Sequence, residues 1–166
     1  MAMSADGFVA RENGEEDFLS DYGWEVFLKL SKECGNFIIG RNTYEMVKKY
    51  YKDFGFDDVK GTKKIIVSQA KNISAPGFTV VSSPQEALAL LEEDGYTKAY
   101  LAGGPGLNES FAKLGLINEV IFNYEPVIIG QGLPVFAPLD LGLNLEYVSK
   151  EIYQGSVVQL RYKVKR

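Results

Sequence analysis

The sequence predicts an α/β fold with a mostly parallel central sheet and an antiparallel pair of strands at the C-terminal end. Up to residue 124, short apolar runs alternate with stretches of helical spacing, in the order βαβαβ and then βαβ. Residues 145–149 and 158–164 alternate polar and apolar side chains on either side of Gly155, which is typical of an antiparallel pair. No linker or repeat divides the chain, so we expect one domain over residues 1–166 with right-handed crossovers.

Composition excludes several classes of function. No apolar run reaches membrane-spanning length, so we expect a cytoplasmic chain without a membrane partner. The chain has no histidine and a single cysteine, Cys34, which excludes histidine-assisted nucleophiles and paired-cysteine zinc sites, and we expect no metal. The net charge of −4, without a basic run, offers nothing that would attract nucleic acid. Any chemistry is therefore expected from a bound organic cofactor acting on a small molecule.

The N-terminal segment predicts two short strands and a helix. Residues 1–10 look like the end of a strand, a turn at residues 4–7 and a second short strand. Apolar spacing predicts a helix over residues 22–34, which Gly35 ends in the left-handed conformation. Its aromatic residues are expected in the core, although Trp24, near the helix start, could equally line a pocket.

Two segments combine a buried strand, a turn and a helix start. In the first, residues 37–39 form the strand, residues 40–43 turn, and a helix runs to about residue 51. Arg41 and Thr43 place a guanidinium and a hydroxyl at the helix N-terminus, where they suit a phosphate group. The alternative is a solvated arginine beside a capping threonine.

The second such segment is rich in glycine. Residues 99–102 predict a short buried strand, residues 103–106 a turn almost without side chains, and Leu107 onward a helix with Phe111 and Leu114 on its apolar face. A bare turn before a helix suits an anion, although it could also be only a tight connection. The pattern from Gly104 is Gly-x-Gly-x-x-Glu, which lacks the third glycine of the Rossmann fingerprint.

Three turns are expected to share one edge of the sheet. The strand at residues 63–67 ends in Ser68-Gln69 without a carboxylate, and Ser68 with Arg41 nearby favours a cofactor that carries a 2′-phosphate. In a parallel sheet the turns that follow the carboxyl ends of the strands lie side by side. Residues 40–43, 68–69 and 103–106 should therefore meet at one edge, which we call the turn edge, and a dinucleotide could span it.

The remaining elements carry no predicted function. Residues 78–81 predict a strand, and a capping box at residues 83–86 begins a helix to residue 93. Residues 119–124 predict another strand, followed by residues 126–136 with Gly-Gln-Gly at their centre.

Six motifs in order resemble the reductase domain of the riboflavin-biosynthesis deaminase-reductases, which shares the dihydrofolate reductase fold. The resemblance covers essentially the whole chain and implies a three-layer sandwich of the dihydrofolate reductase type and a homodimer. The given sequence contains no counterpart of the deaminase half with its zinc ligands. The motifs are Ser4-Ala5-Asp6-Gly7-Phe8-Val9-Ala10, Ile39-Gly40-Arg41-Asn42-Thr43-Tyr44-Glu45, Val67-Ser68, Leu101-Ala102-Gly103-Gly104, Leu116-Ile117-Asn118-Glu119 and residues 126–136.

The resemblance implies NADPH as the cofactor. Residues 40, 41 and 43 would contact its adenosine-side phosphates and Ser68 its 2′-phosphate. Residues 103–106, which we call the glycine turn, would contact its pyrophosphate, and the peptide bond between Gly103 and Gly104 would be cis. Asp6 would face the substrate as the catalytic carboxylate, although it could instead only form a turn before Gly7. The implied cofactor-binding set is Ala2, Val9, Gly40, Arg41, Thr43, Ser68, Gly103, Gly104, Pro105, Gly106 and Leu107.

One difference from the dihydrofolate reductases narrows the range of possible substrates. Dihydrofolate reductases place an acid on the first helix at the position that Trp24 occupies here. Glu25 is adjacent, but one helical step turns a side chain by about 100°. Folate reduction is therefore disfavoured, and a heterocycle stacked on Trp24 is expected. The resemblance implies an NADPH-dependent 5-amino-6-(5-phosphoribosylamino)uracil reductase, with dihydrofolate reductase or a non-catalytic nucleotide-binding protein as alternatives.

Overall fold

The computed structural model describes residues 1–50, 56, 59–70, 73–138, 140, 142–154 and 156–165. The predicted end of the second helix near residue 51 and the turn at Gly155 lie outside these residues. The chain forms two compact units, the first comprising Met1–Glu25 and Asn108–Arg166 and the second Val26–Leu107. In chain order the elements are β1 (Ala2–Ser4), β2 (Phe8–Ala10), α1 (Asp21–Cys34), β3 (Asn36–Gly40), α2 (Arg41–Tyr50), β4 (Lys63–Val67), β5 (Thr79–Val81), α3 (Pro84–Glu93), α4 (Pro105–Lys113), β6 (Glu119–Glu125), β7 (Leu133–Pro134), β8 (Leu145–Tyr153) and β9 (Val157–Val164).

The second unit is built on a parallel sheet in the order β3-β4-β5. Its central strands are apolar runs buried on both faces, as parallel strands usually are. Residues 37–39 of β3 and residues 65–66 of β4 are at most 1% exposed. A cluster of aromatic rings extends this core, with centroids 5.1–6.4 Å apart, and comprises Phe27, Phe37, Tyr44, Phe56 and Phe78.

The segment before the glycine turn is paired with β3 but is not the buried strand that the sequence predicted. It forms a single bridge, between Leu101 and Ile38, and Ala99 is exposed. The buried side chain of Asn36 replaces further strand pairing, since it donates to the carbonyl of Lys98 over 2.7 Å and accepts from the N–H of Tyr100. A side chain that carries these bonds leaves no periodic signal in the sequence of the segment.

Two details of the helices also differ from prediction. α4 begins at Pro105 rather than Leu107, and Leu114 follows its end and is 45% exposed, so it does not belong to the buried face. At the start of α3 the Ser83 hydroxyl caps the helix as predicted, but the carboxylate of Glu86 accepts from Ser82 instead of completing the capping box.

The first unit contains a mixed sheet in the order β1-β6-β9-β8. β1 is parallel to β6, while β6–β9 and β8–β9 are antiparallel. The predicted C-terminal antiparallel pair is therefore confirmed, but β6 belongs to it as well, so this sheet is mostly antiparallel. A separate pair joins β2 to β7. No helix among the described residues is long and apolar enough to cross a membrane.

Candidate functional site

The second unit brings the three predicted turns to one edge of its sheet. Gly40, the last residue of β3, is paired with Val67, the last residue of β4. The N–H of Gly40 also donates to the carbonyl of Gly103 over 2.8 Å. Arg41 and Ser68 therefore each follow a paired strand end by one residue, and the glycine turn lies beside Gly40, which confirms the convergence expected at the turn edge.

The turns at this edge approach each other closely at Gly104 and are in van der Waals contact at Gly40. A Cβ atom on Gly104 would lie 3.0 Å from the Thr43 hydroxyl oxygen, and one on Gly40 would lie 3.6 Å from the Cβ of Leu107. The peptide bond between Gly103 and Gly104 is cis, as the resemblance implied. α2 and α4 begin at this same edge, so two helix N-termini direct their positive dipole ends there.

Two polar side chains at the turn edge are already partly engaged. The guanidinium of Arg41 lies 3.6 Å from the carboxylate of Glu45, and its side chain is 44% exposed. The hydroxyl oxygen of Ser68 accepts from the N–H of Ala70 over 3.1 Å, which leaves its hydrogen free to donate to another acceptor. Both groups can therefore still donate to an anion.

A cleft of about 420 Å³ lies along α2 and shares Arg41 with the turn edge. Three cations and one carboxylate line it, which gives the cleft a net positive charge suited to an anionic ligand. Sequence reasoning missed this cleft, although the charges recur at helical spacing along α2 and could have indicated it. The lining residues are Arg41, Tyr44, Glu45, Lys48, Lys49, Ile73 and Ser74.

In the first unit, the start of α1 packs against β1. A Cβ atom on Gly23 would lie 3.2 Å from the Cβ of Ala2, so the helix approaches the strand closely at this point. The next residue is Trp24, which is half-buried. Of the predicted site residues, Ala2 makes this helix–strand contact and Trp24 adjoins it. Val9, in contrast, is buried in the core and only 5% exposed.

The Asp6 carboxylate is held by backbone groups of the segment that follows β6. It accepts from the N–H of Gly130 over 2.8 Å and from the N–H of Ile129 over 3.3 Å. A hydrogen bond from the Ser4 hydroxyl and these two amides together hold the pKa of Asp6 below its usual range. Asp6 is therefore ionised at neutral pH, and this disfavours it as a proton donor, although it can still bind a substrate donor group.

Sequence reasoning missed a buried carboxylate. Glu125 is the only charged residue among the buried side chains of the described residues, at 3% exposed, and it accepts from the Ser20 hydroxyl over 2.7 Å. The predicted strand ended at residue 124, so Glu125 was not included in the alternation of inward and outward side chains that places it in the core. A few residues before Ser20, burial raises the pKa of the Glu16 carboxyl group to about 7.

The carboxylate adjacent to Trp24 has a structural partner. Glu25 accepts from the Tyr153 hydroxyl over 2.7 Å, and the Tyr153 ring stacks on Tyr22 with centroids 3.9 Å apart. This engagement agrees with the expectation that Glu25 does not replace the missing acid at position 24.

A family model described as the RibD C-terminal domain matches residues 1–158. The chain belongs to the RibD C-terminal domain family. Two proteins of Bacillus subtilis (strain 168) are similar to this family member over 98% of its length: the uncharacterised protein YyaP at 26% identity and 91% of its own length, and the uncharacterised protein YwjB at 28% and 94%. The riboflavin biosynthesis protein RibD of Corynebacterium ammoniagenes is 25% identical over 82% of this chain and 44% of its own length.

Solved structures share the fold of this RibD C-terminal domain. A putative riboflavin biosynthesis protein from Shewanella sp. PV-4 matches with a TM-score of 0.82 and 24% identity, covering 100% of this chain and 97% of the other. A deaminase and 5-amino-6-(5-phosphoribosylamino)uracil reductase from Thermotoga maritima matches at 0.74 and 16%, covering 99% and 55%. Dihydrofolate reductase from Enterococcus faecalis matches at 0.72 and 17%, covering 99% and 94%, so the fold is of the dihydrofolate reductase type.

Proposed function

We propose that this protein is an NADPH-dependent reductase, and most specifically a 5-amino-6-(5-phosphoribosylamino)uracil reductase. The observation that carries the proposal is the turn edge, where Arg41 and Ser68 follow directly after paired strand ends and the N–H of Gly40 donates to the carbonyl of Gly103. Cations, hydroxyl donors and helix N-termini that converge in this way suit the several phosphates of a dinucleotide.

The turn edge suits NADPH sterically as well as electrostatically. Side chains at Gly40 and Gly104 would fill the space beside Leu107 and Thr43, and glycines keep that space open to a pyrophosphate. Gly40, Arg41, Thr43, Ser68 and residues 103–107 would hold the phosphates. Arg41 and Ser68 would favour a 2′-phosphate, because neither is a carboxylate that would repel it.

NADPH, when bound, supplies a hydride to a C=N or C=O group of the substrate. The contribution of the chain is binding, orientation and electrostatics. Ala2 and Val9 would cover the nicotinamide, Trp24 would stack on the heterocycle, and Asp6 in its ionised form would accept a hydrogen bond from the substrate.

Similar proteins of known activity support the type of reaction proposed. The Thermotoga maritima protein is a reductase of this uracil compound, and the Enterococcus faecalis structure contains NADP(H). Membership of the RibD C-terminal domain family supports a riboflavin-pathway reductase in particular. We also propose that the chain acts as one domain, in the cytoplasm, and as a homodimer.

Two alternatives differ in their observable behaviour. A dihydrofolate reductase needs an acid on α1, and the engagement of Glu25 by Tyr153 counts against it. A nucleotide-binding protein without catalysis would keep the turn edge and turn over neither substrate.

The test has a binding arm and a turnover arm. Trp24 is the sole tryptophan, so its fluorescence should be quenched by NADPH at lower concentrations than by NADH. NADPH oxidation should be observed with 5-amino-6-(5-phosphoribosylamino)uracil and not with dihydrofolate. Preferential binding without turnover of either compound would favour the non-catalytic alternative, and equal or absent quenching by the two cofactors would contradict the proposed cofactor.

A further inference from the structure

The cleft along α2 is charged along one stripe of the helix. Residues seven apart on an α-helix lie on the same face, because seven steps of about 100° make nearly two full turns. Arg41 and Lys48 are seven apart, Glu45 lies between them, and all three line the cleft of about 420 Å³. From the turn edge outward, the stripe therefore presents a cation, a carboxylate and a second cation.

Arg41 is the cation of this stripe that has a carboxylate partner. Its Nε lies 3.6 Å from Oε1 of Glu45, and the two side chains are 44% and 59% exposed. An exposed pair at this separation adds little to stability, so its members exchange partners readily. An anion that approaches the guanidinium must therefore compete with Glu45, whose negative charge also repels it.

Lys48 has no carboxylate partner within 4.0 Å in the part of the chain that the structure describes. Its ammonium lies 5.5 Å from the centroid of the Tyr44 ring, and this contact keeps the side chain beside the cleft. Lys49 differs, because its Nζ donates to the Tyr50 hydroxyl over 2.9 Å. The Lys48 ammonium is therefore the cation best placed to donate to a ligand in the cleft.

The charge of the cleft determines which class of ligand it suits. Its three cations and one carboxylate leave two positive charges in excess, and Ser74 adds a hydroxyl that can donate. A phosphomonoester carries nearly two negative charges at pH 7 and three acceptor oxygens, so it matches both the charge and the donors. A single carboxylate would neutralise only half of the excess charge.

We propose that the cleft along α2 binds a phosphomonoester dianion, with Lys48 as a cation that contacts it and Glu45 as a carboxylate that opposes it. Seven residues span about 10 Å of helix, a distance that the long side chains of Arg41 and Lys48 can close from its two ends. Phosphate oxygens then replace Glu45 as the partner of Arg41.

The dianion can come from two sources. One is the 2′-phosphate of NADPH, in which case the inference rests on the proposed function. The other is a separate phosphorylated small molecule, which requires no cofactor. Three probes distinguish them: inorganic phosphate, 2′-AMP and 5′-AMP.

Amide NMR titrations of the full chain at pH 8, up to about 20 mM of each probe, detect dissociation constants in the millimolar range. Lys48→Gln should weaken binding by about threefold or more, and Lys48→Arg, which keeps the charge, should restore it. Glu45→Gln should strengthen binding by about twofold or more. Lys32→Gln and Glu92→Gln are the matched controls, because they change the same charges at exposed positions outside the cleft and should leave binding unchanged.

The same spectra show whether each variant is folded. Preference for 2′-AMP, with Lys48→Gln also weakening NADPH and not NADH, supports the proposal with the cofactor as the source. Equal binding of the three probes, with NADPH unaffected by Lys48→Gln, supports it with a separate ligand. The proposal is overturned if no probe shifts the amides of α2, if Lys48→Gln and Lys32→Gln have equal effects, or if Glu45→Gln does not strengthen binding. A chain that binds phosphate through Lys48 but not NADPH would contradict the proposed function alone.

Discussion

The hydroxyl of Ser20 donates to the carboxylate of Glu125 over 2.7 Å and joins the residue before α1 to the last residue of β6. Because Glu125 is 3% exposed, its carboxylate cannot exchange this donor freely for water. Ser20→Ala should therefore lower the free energy of unfolding by about 1–3 kcal/mol, measured by urea unfolding at pH 7. In a Glu125→Leu background the same change should have little effect, and an equal loss in both backgrounds would show that another contact is responsible.

Arg41 should discriminate between the two nicotinamide cofactors. Arg41→Ala removes a charge-assisted donor at the turn edge, so we expect NADPH to bind about tenfold or more weakly while NADH is little affected. Quenching of Trp24 fluorescence measures both dissociation constants. Arg11→Ala is the matched control, because Arg11 is also ion-paired, with Asp17 at 2.5 Å, and it should not change the ratio of the two constants. An equal effect of Arg41→Ala on both cofactors would remove its proposed role.

A side chain at Gly104 should be destabilising. In Gly104→Ala the new methyl group would lie 3.0 Å from the Thr43 hydroxyl oxygen, so the Thr43 side chain would have to shift. We expect a loss of about 1–3 kcal/mol in the free energy of unfolding, together with weaker NADPH binding. Gly106→Ala is the control, because no atom lies within 4 Å of its added Cβ. Equal stability of the two variants would contradict the close approach of the turns.

Asp6→Asn separates a structural role from a catalytic one. The amides of Ile129 and Gly130 each donate to a different oxygen of Asp6, and asparagine replaces one of these oxygens with an NH2 group that cannot accept, so one of the two bonds is lost in this geometry. The pKa of Asp6 is lowered from 3.8, so its stabilising effect is present above that pH and is lost as the pH falls through the folded-state pKa. We expect a lower melting temperature for the variant at pH 7 and a smaller difference at acidic pH. An unchanged melting temperature with lost turnover would instead support the catalytic prediction.

Glu16 should make stability depend on pH near neutrality. Burial raises its pKa from 4.5 to about 7, so its contribution is fully present below pH 4.5 and is lost as the pH rises through 7. Glu16→Gln cannot ionise, so it should be more stable than the wild type at pH 8 by an amount on the order of 1 kcal/mol and nearly equal to it at pH 4.5. Urea unfolding at the two pH values measures this, with the exposed Glu12→Gln as control. A stability difference that does not change with pH would show that the carboxyl of Glu16 is hydrated.

Local patterns predicted most of the elements, because their signals lie within a few consecutive residues. The helix ending at Gly35, the parallel strands β3 and β4 and the cap at Ser83 all follow from spacing and turn chemistry. The segment before Gly103 was predicted less well, since its alignment depends on the side chain of Asn36, far away in the sequence. The assignment of β6 to the antiparallel part of a mixed sheet also depends on a partner that no local pattern identifies.

The sequence by itself determined the α/β class and the glycine turn, since these rest on short-range spacing. Its ordered motifs carried the resemblance to the family, and that resemblance implied the cis bond. Only the tertiary structure decided that Asp6 is held by the amides of Ile129 and Gly130 and that Glu125 is buried against Ser20. The physical reason is that burial and hydrogen bonding are set by partners distant in the chain, and these contacts determine which carboxylates remain ionised.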